Sequence, residues 1–141
     1  WYLLDLIPDS NAKKFYKHLV VRLPELSREM NSLKKISSNF KEFGFFDFPL
    51  CIFKPELISL KNICLVNAKA RLDTTQQVGY DPKRIEVNKE GIYCDVYRQN
   101  VDICLRCIYY KDCGGVWREY INYFGDSEIK KIALKNNCLK L

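Results

Sequence analysis

Cysteine is the residue type with the widest chemical reach in this chain. Seven occur in 141 residues, and Cys104-Leu-Arg-Cys107, flanked by Cys94 and Cys113, supplies four thiols within twenty positions. Four thiolates suffice for a tetrahedral zinc site. One C-x-x-C is a weaker signal than the paired motifs of zinc modules, and a free buried cysteine behaves as a small hydrophobe. The chain is therefore read without a metal or other cofactor. His18, the one histidine, sits among Lys14, Lys17 and Arg22, which is the pattern of a solvated helix face. There is no G-x-x-x-x-G-K-[ST] and no G-x-G-x-x-G to cradle phosphates. Nor does a local Cys–His signature mark a nucleophile. These residues predict no enzyme.

The bulk properties bound the setting. An odd cysteine count, no N-x-S/T acceptor and abundant Lys and Asn fit reduced thiols in the cytoplasm or nucleus rather than a disulfide framework. No apolar run reaches the roughly 18 residues of a membrane span. The net charge of +6 favours acidic partners without naming one.

The elements that would position these residues begin with two helices. Asp9 or Ser10 can cap a helix that starts near Ala12, with Phe15, Leu19 and Leu23 on one face. Pro24 suits the first turn of a second helix carrying Leu26, Met30 and Leu33. The aromatic stretch Phe43 to Phe53 reads as packing. Residues 71–81 read as an irregular connection, and Val116 to Phe124 as a short helix. Between them runs a spaced apolar pattern. Ile129-x-x-Ile132-x-Leu134-x-x-Asn137-x-Leu139 matches L-x-x-L-x-L-x-x-N/C-x-L, and Leu105-x-x-Ile108-x-Tyr110-x-x-Cys113 repeats it. Weaker copies centre on Ile63 and Ile85. The second anchors Ile63, Ile85, Ile108 and Ile132 are separated by 22, 23 and 24 residues.

This spacing resembles the leucine-rich repeat family. The resemblance implies an α/β solenoid with a curved parallel sheet over residues 44–141, and a helical amino-terminal cap or decayed first repeat over residues 1–43. It places Asn137 and Cys113 where a buried side chain answers turn backbone, and Leu139 to Leu141 in mid-repeat. The competing architecture is an α+β domain with an antiparallel meander, in which Asn88-Lys-Glu-Gly91 turns a hairpin between Ile85–Val87 and Ile92–Val96.

In the repeat register the residues between anchors face the concave surface, where solenoids bind partners. Nine of those twenty positions are Lys or Arg and two are acidic. Lys61, Arg84, Lys89, Arg106, Lys111, Lys130, Lys131 and Lys135, with Tyr109, form the expected binding set. The resemblance implies a non-enzymatic protein–protein interaction module that takes a partner with an acidic surface, as in a scaffold or ubiquitin-ligase receptor. The alternative is RNA binding, with Tyr109 stacking a base. Neither reading calls for a membrane or specifies an oligomeric state.

Overall fold

The run Phe43-Gly-Phe-Phe-Asp-Phe-Pro-Leu-Cys-Ile-Phe53 is too apolar to lie in water, and the fold is arranged to bury it. The computed structural model describes residues 1–8, 10–66, 85–87, 93–95 and 98–140. Strand β2 (Phe43–Phe46) lies between β1 (Tyr2–Leu4) and β3 (Ile63–Val66), parallel to both. Parallel neighbours need long crossovers. The first holds helices α1 (Ser10–Leu19), α2 (Leu23–Ser32) and α3 (Lys34–Ser37). The second holds a 3-10 turn at Leu50–Ile52 and α4 (Pro55–Ile58). Phe43, Phe45 and Phe53 are buried, and the rings of Phe45 and Phe53 lie 4.7 Å apart. Gly44 keeps its place because a Cβ there would lie 2.2 Å from a Tyr2 ring carbon.

Beyond β3 the described segments pair antiparallel: β4 (Ile85–Val87) with β5 (Tyr93–Asp95), and β6 (Arg98–Gln99) with β7 (Val116–Trp117). Helices α5 (Arg118–Phe124) and α6 (Ser127–Lys135) complete the chain. Helix α6 packs on α2 and on the Leu50–Ile52 turn. Residues from both sides of position 43, from Tyr16 and Leu23 to Ile132 and Cys138, share one core cluster. No described helix is long and apolar enough to cross a membrane.

The leucine-rich repeat solenoid is not the fold. Of its four expected strands, only Ile63–Val66 joins a parallel sheet, and its partners are β2 and β1 rather than another repeat. Ile85–Val87 pairs antiparallel with Tyr93–Asp95, as the hairpin reading required, while residues 102–106 form a 3-10 turn instead of a meander strand. Residues 131–135 are helical. The reason lies in an ambiguity of the spacing. Ile129, Ile132, Ala133 and Asn136 follow i, i+3, i+4, i+7, the buried stripe of an amphipathic helix, and all four are buried. Leu134, an inward anchor in the repeat register, is 61% exposed, and Ile108 is 42% exposed.

Two local expectations also shift. Helix α1 buries Tyr16, while Phe15 and Leu19 stand in solvent. Helix α2 begins with Leu23, and Pro24 lies in its first turn as its fixed φ suits.

Candidate metal centre

The Leu50–Ile52 turn leaves β2 with carbonyls that a 3-10 turn of this length cannot pair internally. Side chains from two helices pair them. Asn136, 2% exposed at the end of α6, donates from Nδ2 to Cys51 O at 2.9 Å and Ile52 O at 3.0 Å. Ser27 Oγ on α2 donates to Ile52 O at 2.6 Å, and Asn31 Nδ2 donates to the same oxygen at 2.9 Å. Cys51 lies at the centre of this turn.

A second turn, Asp102–Arg106, carries Cys104 and leads into Cys107. A 3-10 turn advances three residues per turn, so side chains at i and i+3 eclipse. Cys104 and Cys107 have that spacing. The turn is anchored to the chain's end: Ile108 N–H donates to Cys138 O and Lys140 N–H to Arg106 O, both at 2.8 Å, about a bridge between Cys107 and Leu139. Cys113 follows, before β7. Gly115 beside it has φ +83°, and a Cβ there would lie 2.6 Å from Gln99 O, so the tight return into β7 needs glycine.

Cys51, Cys104, Cys107 and Cys113 line one cavity, together with Ile103, Val116, Ile129, Asn100 and Tyr110 among others. Its free space is about 20 Å³, room for about one water. The sulfurs differ in their partners. Cys113 Sγ accepts the Leu50 N–H at 3.4 Å. Burial raises the Cys113 thiol, while the Leu50 and Gly115 N–H groups and the Arg98 cation pull it back. Burial lifts Cys104 to about 11 and raises Cys107, and in each a backbone N–H, of Val101 and Tyr109 respectively, opposes it. Cys51 is raised well above its ordinary value by burial and then by its cysteine neighbours. Cys138 is adjacent and different: its Sγ faces the carbonyls of Cys51, Phe53 and Asn136 at 3.6–3.8 Å, as an S–H donor does. All six described cysteines are free thiols.

Beside this cavity lies a buried charge. Arg98, 1% exposed, pairs with Asp47 Oδ1 at 3.3 Å, donates to Asp47 O at 2.7 Å and stacks its guanidinium 3.7 Å over the Trp117 ring. Trp117 Nε1 donates to Asp5 Oδ2 at 2.8 Å.

The residues expected on a concave face separate. Lys61 is exposed in the turn before β3. Arg84 and Lys89 lie outside the described residues, as does the side chain of Cys94. Arg106 and Lys111 are exposed on the cysteine-bearing segment, and Lys130, Lys131 and Lys135 are exposed on α6, whose other face packs on the core. Tyr109 is half-buried, and burial lifts its phenol to about 12. Asn137 is exposed, so it does not answer buried backbone; its neighbour Asn136 does. Cys113 is half-buried and faces the cavity.

Sequence spacing joined Cys94 to the C-x-x-C and missed Cys51. Nothing local marks Cys51, which lies 53 residues upstream of Cys104 inside an aromatic run. No protein family, curated protein or solved structure matches the chain, so the meaning of this site rests on its own geometry.

Proposed function

We propose that the chain is a cysteine-ligated cofactor module in which Cys51, Cys104, Cys107 and Cys113 hold an iron–sulfur cluster. The observation that carries this is the convergence of four thiols, from turns far apart in sequence, on one cavity. Four-sulfur sites select zinc or iron–sulfur clusters. A single zinc ion needs its sulfurs about 3.8 Å apart, given Zn–S bonds of ~2.3 Å in a tetrahedron. Among the described residues no three His, Cys, Asp or Glu side chains stand where one ion could join them. The N–H groups directed at Cys113 support the same reading, because hydrogen bonds to ligand sulfur stabilise the thiolate and tune the potential.

With all four ligands supplied by the chain, no position stays open for substrate, which fits a structural or electron-carrying role and not catalysis. This reading adds a cofactor that the sequence alone did not call for. Binding of an acidic partner, expected from the basic residues, is compatible with it and no longer depends on a concave sheet.

The test is anaerobic reconstitution of the whole chain with iron and sulfide. Iron and acid-labile sulfide in equal amounts, with visible charge-transfer absorption, should appear in the parent and in Cys94→Ala. They should be lost in Cys51→Ala and in Cys104→Ala. Stoichiometric zinc without sulfide would replace the cluster by a single ion.

A further inference from the structure

Strand β1 is an edge of its sheet, and part of its backbone faces away from that sheet. Gly44 N–H donates to Trp1 O at 2.7 Å and Asp5 N–H donates to Phe46 O at 3.0 Å, so these two ends of the segment turn toward β2. Peptide groups alternate in direction along a strand, so those of Tyr2 and Leu4 point outward. No described residue hydrogen-bonds to them. Tyr2 is 50% exposed and Leu4 62% exposed. Their side chains share one face of the sheet with their register partners Gly44 and Phe46, and the Tyr2 ring meets Phe46 edge-on at 5.3 Å.

Natural edge strands are blunted by lysine, by proline or by a bulge. Tyr2-Leu3-Leu4 carries no charge and no proline, and its register with β2 runs without a bulge. Glu42 is taken up by the Tyr2 hydroxyl.

We propose that β1 pairs antiparallel with β1 of a second copy, about a two-fold axis at Leu3, joining two three-stranded sheets into one. The edge is its own complement. With Leu3 opposite Leu3, Tyr2 of one copy faces Leu4 of the other, and each such pair exchanges two backbone hydrogen bonds. Every outward group of Tyr2 and Leu4 in both copies is then used. Each pair also brings an exposed aromatic ring beside an exposed aliphatic chain as cross-strand neighbours. Such a contact presents the same patch from both copies and closes at two. The net charge of +6 on each copy opposes it, but salt screens charges more than about 8–10 Å apart. Because the paired strands are short, the dimer belongs with small, weak interfaces and forms with rising concentration.

The experiment is sedimentation equilibrium of the whole chain from micromolar to millimolar concentration. The mean mass should rise from 16.7 kDa toward twice that value. Leu4→Lys charges the edge, and Leu4→Pro removes an outward N–H that β2 does not use. Both should weaken association at least tenfold, with far-UV circular dichroism and the denaturant midpoint at the lowest concentration unchanged. Leu134→Lys, which removes an equally exposed leucine from α6, should associate as the parent does. A parent that stays monomeric throughout overturns the proposal, as does parental association by Leu4→Lys. A mass growing beyond two copies overturns it too, because the two-fold contact closes at the dimer. An equal loss of association in Leu134→Lys also overturns it, and assigns self-association to apolar surface at large instead of β1.

Discussion

Cys113 and Cys138 are neighbours in one core and opposites in chemistry. Burial raises the Cys113 thiol, but its Sγ receives the Leu50 N–H and lies in the field of Arg98, and both oppose that rise. Cys138 Sγ meets only carbonyl oxygens, and burial lifts it to about 12, so its surroundings hold the proton. Both are thiols in an apolar interior. The difference teaches that two sulfurs in one core can meet dipoles of opposite sign, which burial alone does not reveal.

Substitution of each cysteine is the largest test of that contrast. Cys113→Ala should abolish cluster uptake, read as loss of iron and sulfide. Cys138→Ala should retain uptake and cost only about 1 kcal/mol for the small cavity it leaves, read by denaturant unfolding. Loss of uptake in both variants would erase the distinction.

The next test concerns the turn that holds Cys51. Asn136→Ala removes donors from Cys51 O and Ile52 O and should cost about 1–3 kcal/mol. Asn137→Gly should fall within about 0.5 kcal/mol of the parent, because Asn137 is exposed at φ +54°, where glycine is at ease. The reverse order would contradict the burial of Asn136 and the exposure of Asn137. Gly115→Ala meets Gln99 O at 2.6 Å and a positive φ, and should cost on the order of 1–3 kcal/mol while weakening cluster retention. Retention equal to the parent's would show that Cys113 needs no such support.

A further effect, a pH dependence, lies outside the cysteine cavity. Burial lifts the Asp5 carboxyl from 3.8 to about 6, although the Trp117 indole, Arg98 and the Leu6 N–H restrain the rise. The folded chain then holds a proton that the unfolded chain has released. This group's stabilising contribution is therefore full below about pH 4 and is lost as pH rises through about 6. The loss should be on the order of 1–3 kcal/mol, from a shift of about two pKa units. Asp5→Asn keeps an oxygen for Trp117 and should remove that step from unfolding curves at pH 4 to 7. A step of equal size in the variant would move the titration elsewhere.

Much of the chain was legible one residue out of place. The spacing at 129–137 did mark a buried stripe, but i, i+3 serves a helix as well as the first anchors of a repeat strand. Only packing against α2 chose between them, putting Asn136 inside in place of Asn137. At 104–108 the apolar Leu105 and Ile108 drew the register outward, while the inward pair is Cys104 and Cys107. The aromatic run was readable as core because nothing else can cover so many rings. Cys51 was not readable at all. Its place at the cavity is set by the length of β2 and by donors from Ser27, Asn31 and Asn136, none of which leaves a periodic trace.

The most direct measurement is the ratio of iron and acid-labile sulfide to protein after anaerobic reconstitution, taken for the parent and for Cys51→Ala. Several irons per chain with matching sulfide in the parent, and none held by Cys51→Ala, is the predicted result. Equal uptake by both chains, or a parent that takes up neither, would contradict a centre built on Cys51, Cys104, Cys107 and Cys113.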